Sequence, residues 1–308
     1  MTPGISVIVP VFNAAASLGE LVPRLDAVMR ATGRPYELLL VDDCSGDNSW
    51  AVITELAPRH PAVRGIALRR NFGQHNATLC GLRAARFDLA VTLDDDLQNP
   101  PEEVPALLQR LEEGCDVVYG VPAEPHHGVW RGAASRLTKL VLQSSMGVAV
   151  APDVSSFRAL RTELREAFAQ FSGPYVSIDV LLTWATTRFG SVKVRHDTRS
   201  HGASNYTLRQ LTTHALNMVT GFSTLPLRLA SLVGFGFTLF GMAMLVYVLG
   251  RLAITGGSVP GFPFLASAIA IFSGAQLFAL GIIGEYLARI HMRTMERPSY
   301  IVASTIGD

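Results

Sequence analysis

Three consecutive carboxylates, Asp94, Asp95 and Asp96, stand at the end of an apolar run in the first third of the chain. Adjacent carboxylates repel one another unless a cation is present. Because side chains alternate along an extended backbone, Asp94 and Asp96 point to the same side and can together hold a divalent ion. Mg²⁺ or Mn²⁺ there would bridge the diphosphate of a nucleotide sugar and stabilise its departure. Taken alone, the motif also fits a solvated acidic turn.

Three other polar clusters each follow an apolar run of strand length. They are residues 10–13 (Pro-Val-Phe-Asn), 41–47 (Val-Asp-Asp-Cys-Ser-Gly-Asp) and 69–75 (Arg-Arg-Asn-Phe-Gly-Gln-His). In open α/β sheets, ligands bind outside the carboxyl ends of the strands. Four polar clusters at one edge of one sheet therefore favour a nucleotide site over an acidic surface turn.

Strand patterns alternate with helical patterns through the first half of the chain. Strands are predicted at 5–11, 37–41, 63–68, 88–93 and 116–119, and helices between them at 18–32, 47–56, 74–86 and 100–113. Ser17 is the expected N-cap of the first helix, and Gly33 is its expected stop. The alternation predicts βαβ units, an α/β fold class and a mostly parallel sheet.

The overall composition excludes several classes of protein. The formal net charge of +1 argues against a nucleic-acid binder, which usually carries a strong basic excess. The three cysteines show no paired or metal-ligand spacing, so neither a disulfide framework nor a zinc site is expected. The first residues, Met-Thr-Pro-Gly, lead directly into an apolar strand without a basic region, so no signal peptide is expected.

Two uncharged runs in the last third of the chain, Leu229 to Gly250 and Leu265 to Gly284, have the length of membrane spans. At ~1.5 Å per residue each helix would reach ~30 Å, enough to cross the hydrocarbon core. A pair of buried helices in a soluble protein is the alternative. Basic residues flank the two runs on their outer sides, whereas the connecting loop carries only Arg251. Both termini are therefore expected in the cytoplasm, in a multi-pass protein of the inner or plasma membrane.

Amphipathic patterns precede the first span. Residues 131–148 and 205–227 mix apolar and basic side chains, so either segment could lie in the headgroup plane or pack on the catalytic domain. The expected domains are a cytoplasmic catalytic domain at 1–204, an interfacial amphipathic segment at 205–228, a two-helix transmembrane hairpin at 229–288 (helices at about 229–251 and 264–286), and a cytoplasmic C-terminal tail at 289–308.

The motifs, in their order, resemble the GT-A fold of family 2 glycosyltransferases. The resemblance is greatest to the polyprenyl-phosphate branch, which includes dolichyl-phosphate mannose synthase and bacterial transferases that load an aminoarabinose onto undecaprenyl phosphate. The segments that carry it are Arg-Asn-Phe-Gly-Gln-His at 70–75, Asp-Leu-Gln-Asn-Pro-Pro-Glu-Glu at 96–103, Ser-Thr-Leu-Pro-Leu-Arg at 223–228 and Leu-Gly-Ile-Ile-Gly-Glu-Tyr at 280–286.

The resemblance implies a role for individual residues. Asp94 and Asp96 would be catalytic and would ligate Mg²⁺ or Mn²⁺, while Arg131 would contact a phosphate and Asp153 would be the acceptor-side acid. Nucleotide-sugar binding is expected from Pro10, Phe12, Asn13, Val41, Asp42, Asp43, Asp94, Asp95 and Gln98. Contacts to the acceptor phosphate are expected from Arg131, Arg199, His201 and Ser204.

Two positions depart from the family pattern. Val121-Pro122-Ala123 occupies a segment where relatives often have an arginine, and Asn205 follows Ser204 where relatives often have a lysine. Arg199 or His201 could replace that missing cation.

The resemblance implies inverting transfer of a sugar from a nucleotide sugar, UDP-linked rather than GDP-linked, to undecaprenyl or decaprenyl phosphate. It also implies a homo-oligomer, with a tetramer as the candidate state. Two alternatives are a processive or sugar-acceptor glycosyltransferase of the same fold and a non-catalytic membrane scaffold with a vestigial nucleotide site. The chain lacks the Gln-x-x-Arg-Trp motif of the former, and the intact Asp94, Asp96 and Gln98 argue against the latter.

Overall fold

The computed structural model describes residues 2–123, 154–172, 176–197, 225–255 and 261–307. The chain divides into two compact units. One comprises Met1–Thr207 together with Glu296–Asp308, and the other is Leu208–Met295.

A mixed sheet forms the centre of the first unit. In the described residues its eight strands have the order β7-β5-β6-β4-β1-β2-β3-β8. The strands are β1 Thr2–Val11, β2 Tyr36–Asp42, β3 Val63–Leu68, β4 Phe87–Thr92, β5 Val117–Pro122, β6 Arg158–Arg161, β7 Phe189–Val194 and β8 Val302–Ile306. The pairs β1–β2, β1–β4, β2–β3 and β5–β7 are parallel. β6 runs antiparallel to β4 and β5, and β8 antiparallel to β3. The expected mostly parallel α/β sheet is confirmed.

The helices follow the strands as the periodicity predicts. They are α1 Ala15–Ala31, α2 Ser49–Leu56, α3 Gln74–Ala84, α4 Val104–Glu112, α5 Ile178–Ala185, α6 Leu225–Thr255 and α7 Phe262–Thr294, with 3-10 turns at Pro101–Glu103 and Thr162–Phe168. The prediction of Ser17 as N-cap is wrong, because α1 begins two residues earlier and the Ser17 hydroxyl donates to the Ala14 carbonyl within its first turn. Gly33 does follow the end of α1, in the left-handed conformation that glycine favours.

Apolar side chains cover both faces of the sheet, which explains why β1 is apolar without alternation. Val7 and Val9 join the core on one face, with Leu18 and Leu21 of α1. Ile8 joins the core on the other face, with residues of α3 and α5. The ends of the central strands are consequently fixed from both sides, which gives the loops beyond them a rigid base.

β8 was not predicted, because residues 289–308 were expected to form only a C-terminal tail. Helix α7 instead continues to Thr294, and Val302–Ile306 pairs with β3, placing Ile306 opposite Gly65. The sequence signal is weak because β8 has five residues and its side chains are mostly exposed.

Helices α6 and α7 belong to the second unit and pack against each other. The Phe272 ring of α7 lies 5.5 Å from the Phe237 ring and 6.5 Å from the Phe240 ring of α6. Their large apolar side chains are mostly exposed; Leu232 and Leu277, for example, are 66% and 69% exposed. By length and composition, Leu227–Arg251 and Ile271–Met292 could each cross a membrane. The uncharged runs at 229–250 and 265–284 lie within α6 and α7, respectively.

Candidate active site

The carboxyl ends of β1, β2 and β4 lie side by side, and the loops beyond them touch. The register places Pro10 opposite Val41, both buried. The Asp43 N–H donates to the Val11 carbonyl at 2.9 Å, and the Phe12 N–H donates to Asp95 Oδ2 at 3.0 Å. Three of the four polar clusters identified in the sequence therefore meet at one edge of the sheet.

The turn after β1 is fastened to the turn after β2. The Asn13 N–H donates to Ser45 Oγ at 3.0 Å, and Asn13 Oδ1 accepts the Gly46 N–H at 2.7 Å. Asn13 and Cys44 both have positive φ, +54° and +58°; asparagine tolerates this conformation better than most residues. Phe12 is 47% exposed beside this pair of turns, so its ring is available to a ligand.

Asp43 joins the fourth cluster to the other three. Its two carboxylate oxygens accept the N–H groups of Phe72 and Gly73, both at 2.7 Å. Burial raises the pKa of Asp43, the two backbone donors oppose that shift, and the negative charge of Asp42 adds to it. The loop before α3 is thereby clamped to the end of β2, and the Arg70 guanidinium lies 4.5 Å from the centre of the Phe72 ring.

Each of the three consecutive carboxylates bonds to a different part of the chain. Asp94 accepts a hydrogen bond from the Gln74 amide of α3 on one oxygen and from Ser156 Oγ, at 2.6 Å, on the other. Asp95 accepts the Phe12 N–H, whereas Asp96 Oδ1 accepts the Gln98 N–H at 3.1 Å.

The crowding of Asp94, Asp95 and Asp96 affects the pKa of the middle carboxyl. Burial and, to a lesser extent, the adjacent Asp94 and Asp96 charges outweigh the hydrogen bond from the Phe12 N–H and together raise the pKa of Asp95 to about 6. A positive charge at this edge would relieve that repulsion.

The donor set at this edge suits Mg²⁺ or Mn²⁺. In the part of the chain that the structure describes, no three His, Cys, Asp or Glu side chains are grouped to enclose a metal ion. Asp94 and Asp96 supply carboxylate oxygens, which hard divalent ions prefer. Mg²⁺ commonly binds through one or two carboxylates and completes its coordination with water and substrate phosphates. The residues present fit an ion held jointly with a diphosphate.

The segment after β7 also reaches this edge. The Asp197 N–H donates to the Gln98 carbonyl at 2.9 Å, and the His196 ring nitrogen Nδ1 lies 3.3 Å from Asn99 Oδ1. Five of the predicted site residues lie outside the described residues, as do segment 131–148 and most of 205–228. The five are Arg131, Asp153, Arg199, His201 and Ser204.

Several side chains that hold the site were not singled out in the sequence. Ser156 bonds to Asp94, and below it Arg158 forms a buried ion pair with Asp179. Arg158 begins the four-residue strand β6, Arg-Ala-Leu-Arg, and is buried, so its charge requires a partner. Its partner, Asp179, lies in α5, and no spacing rule connects the two.

Comparison with known proteins identifies the class of this protein. Residues 6–168 match the family described as Glycosyl transferase family 2. The chain belongs to that family, as its motifs led us to expect.

The similarity to curated relatives extends over nearly the whole chain. The undecaprenyl-phosphate 4-deoxy-4-formamido-L-arabinose transferase of Pseudomonas aeruginosa (strain LESB58) is 38% identical over 305 residues, covering 98% of this chain and 90% of the relative. The transferase of the same name from Serratia proteamaculans (strain 568) is 36% identical over 307 residues, covering 99% and 94%.

Solved structures confirm the GT-A-like fold. Glucosyl-3-phosphoglycerate synthase from Mycobacterium tuberculosis, crystallised with Mn²⁺ and UDP-glucose, superposes with a TM-score of 0.53 at 19% identity, over 71% of this chain and 77% of that one. The same enzyme with Mn²⁺, UDP-glucose and phosphoglyceric acid gives a TM-score of 0.52 at 18% identity, over 71% and 78%.

Proposed function

We propose that this glycosyltransferase transfers a sugar from a nucleotide sugar to a polyprenyl phosphate, with inversion at the anomeric carbon. The observation that carries the proposal is the meeting of Asp94 and the Asp43-clamped loop at one edge of the sheet, with Asp96 two residues beyond Asp94 in the chain. The near-complete coverage of relatives named as undecaprenyl-phosphate transferases supports the choice of acceptor.

The donor nucleotide is assigned to the turns after β1 and β2. Val41 and Asp43 would border the base, with Asp42 close by, and Pro10, Phe12 and Asn13 would close the other side. Bound Mg²⁺ or Mn²⁺ would neutralise the diphosphate as it leaves. Asp94 and Asp96 would hold that ion, Asp95 fixes the turn at Phe12, and Gln98 would face the sugar. We favour UDP over GDP.

Attack by a phosphate acceptor requires less catalytic assistance from the protein than attack by a sugar hydroxyl. A phosphate monoester is largely ionised at neutral pH, so no strong general base is required. Positioning and charge neutralisation are required instead, and we assign them to Arg131, Arg199, His201 and Ser204, with Asp153 as the acceptor-side acid. The described chain reaches this edge at Asp197, whose N–H donates to the Gln98 carbonyl, and Arg199 and His201 come shortly after it in the sequence.

We assign α6 and α7 to a membrane hairpin with the catalytic unit and both termini in the cytoplasm. Segment 205–228 would lie at the interface, where the acceptor phosphate is presented. The relatives act on a lipid phosphate by name, and the exposed apolar surface of both helices suits a bilayer. We further propose that the protein is a homo-oligomer, with a tetramer as the first candidate.

A donor panel tests the proposed function. Membranes containing the protein are incubated with undecaprenyl phosphate, Mn²⁺ and individual UDP- and GDP-sugars, and the lipid fraction is analysed by mass spectrometry. One UDP-sugar should give a product carrying a single sugar residue, and UDP should inhibit its formation more tightly than GDP. A polymeric product would indicate a processive synthase. No consumption of any donor would indicate a non-catalytic scaffold.

A further inference from the structure

A buried polar network lies beneath Asp94, on strands β4, β5 and β6 and helix α5. The Arg158 side chain is 3% exposed, and its guanidinium forms an ion pair with Asp179, whose side chain is 8% exposed. The hydroxyl of the buried Tyr119 donates to Asp179 Oδ1 at 3.0 Å. Charges so deeply buried require partners of fixed geometry, so this network holds the Arg158 guanidinium in one place.

A chain of hydrogen bonds connects Arg158 to Asp94. The Arg158 Nε donates to Thr92 Oγ1 at 3.1 Å, and the Thr92 hydroxyl donates to the Ser156 carbonyl at 2.6 Å. The Ser156 hydroxyl in turn donates to Asp94 Oδ2 at 2.6 Å. The Ser156 carbonyl is thus held by Thr92, while the Ser156 hydroxyl bonds to the Asp94 carboxylate.

We propose that Ser156 is a positioning residue that holds Asp94 ready for the divalent ion, and that Thr92 and the Arg158–Asp179 pair fix Ser156 for that task. The inference rests on the proposed function. With Gln74 on one oxygen and Ser156 on the other, rotation of the Asp94 carboxylate is restricted before any ion or diphosphate binds. Groups that orient a metal ligand in this way typically change metal affinity 10- to 100-fold when removed.

The neighbouring serine provides a matched control. Ser155 Oγ accepts the Phe157 N–H at 3.2 Å and so serves the local turn. Ser155→Ala and Ser156→Ala remove the same atom from adjacent positions in one segment. Ser156→Thr retains the hydroxyl and tests for rescue. Arg158 is a poorer target, because its loss would leave Asp179 buried without its cation and the protein could fail to fold.

The experiment measures Mn²⁺ binding to the purified full-length protein in the presence of UDP, by calorimetry and by the electron paramagnetic resonance signal of free Mn²⁺. Ser156→Ala should weaken Mn²⁺ binding about 10- to 100-fold and lower kcat, with the KM for polyprenyl phosphate little changed. Ser155→Ala should behave as wild type, and Ser156→Thr should restore most of the binding.

Two results would overturn the inference, in distinguishable ways. If the wild type binds Mn²⁺ with UDP and Ser156→Ala binds it equally well, Ser156 has no positioning role although the proposed function stands. If the wild type itself binds no Mn²⁺ in the presence of UDP, the metal-assisted function fails and the inference fails with it. Thermal melting of all variants shows whether any loss is due to unfolding.

Discussion

At the scale of residues, the site is a set of carboxylates whose partners come from distant parts of the chain. Asp94 bonds to Gln74 and Ser156, and Asp43 bonds to the N–H groups of Phe72 and Gly73. Each bond fixes an oxygen atom before a ligand arrives, which reduces the reorganisation that binding and reaction require. Burial, together with the charges of Asp94 and Asp96, raises the pKa of the Asp95 carboxyl between them.

The first prediction concerns Asp96. Asp96→Asn should remove transfer activity while the protein stays folded and in the membrane fraction, because the departing diphosphate loses part of its counter-charge. We expect a rate loss of at least about 10³-fold, or roughly 4 kcal/mol in the barrier. The measurement is formation of lipid-linked sugar at saturating donor. Near-normal turnover by the variant, or by the wild type in excess chelator, would contradict the prediction.

The site could be predicted in part from the sequence, because strand ends in a parallel sheet meet at one edge. The clusters at Asn13, Asp43 and Asp94 followed from that rule. The contributions of Gln74 and Ser156 did not, because the bonds they make to Asp94 depend on register and side-chain geometry that spacing does not encode. The roles assigned to individual residues remain predictions.

At the scale of elements, the close packing of α3 on the sheet sets the position of Gln74. Gly81 of α3 faces Ile8 of β1, and a Cβ atom at Gly81 would lie 2.4 Å from Ile8 Cγ2. No real side chain approaches so closely, so any larger residue must push the helix and strand apart.

We therefore expect Gly81→Ala to destabilise the protein by about 1–3 kcal/mol through overpacking. It should also weaken Mn²⁺-dependent UDP binding, because α3 carries Gln74 in its first turn. Gly19→Ala is the matched control. Gly19 also lies in a helix, but a Cβ atom there meets nothing within 4 Å, so alanine should be neutral or stabilise by up to about 1 kcal/mol. Equal melting temperatures for the two variants would argue against the packing account.

A pH prediction follows from Asp116, immediately before β5. Burial opposes ionisation, but hydrogen bonds from Arg188 and Thr186 and the charge of Arg161 outweigh it and lower the pKa of Asp116. A carboxyl with a lowered folded-state pKa contributes stability above its unfolded pKa of about 3.9 and loses it as the pH falls through the folded value. Asp116→Asn should therefore destabilise by about 1–2 kcal/mol at neutral pH, with Arg188 largely exposed to solvent.

Denaturation of wild type and Asp116→Asn over a series of pH values measures this effect. The difference in unfolding free energy should be constant from pH 7 to about pH 5 and should shrink below about pH 4. A difference that stayed constant down to pH 3 would show that the ion pairs do not stabilise the fold.

The elements predicted from the sequence were those with strong periodicity. β3 was predicted with its observed bounds, and α3 differed only at its end, because each combines a regular apolar pattern with a clear turn. β6 and β8 are four and five residues long, and strands of that length carry too few alternations to be distinguished from loops. β7 is an edge strand of the sheet and is partly exposed, which weakens its apolar pattern as well.

At the scale of the whole molecule, the apolar helices interrupt the catalytic unit. Leu208–Met295 lies between the two segments of the other unit, and the second segment contributes β8 to the sheet. Tyr300 lies beside α3, where the Arg83 guanidinium is 5.8 Å from its ring centre. A truncation before α6 thus removes part of the catalytic sheet along with the helices.

The contribution of the helices can be isolated by replacing 208–295 with a flexible Gly/Ser linker that retains 296–308. We expect this protein to bind UDP and Mn²⁺ about as well as the full chain. It should transfer at least about 10²-fold less efficiently to undecaprenyl phosphate in vesicles, because the proposed membrane hairpin would raise the effective concentration of acceptor at the site.

The control is the same protein with residues 302–306 also deleted, which should be less stable because β3 then becomes an unpaired edge strand. Full activity of the linker protein on vesicles would refute a role for the helices in reaching the acceptor.

Because β8 is the last element of the chain, the sheet is completed late in synthesis. The ribosome synthesises β1 to β7 first, then α6 and α7, and only afterwards Val302–Ile306. At roughly 5–20 residues per second, β3 remains an open edge for several seconds while the apolar helices emerge. The eight-stranded sheet can be completed only once both helices have left the ribosome, so any delay in their synthesis prolongs the exposure of that edge to other nascent chains.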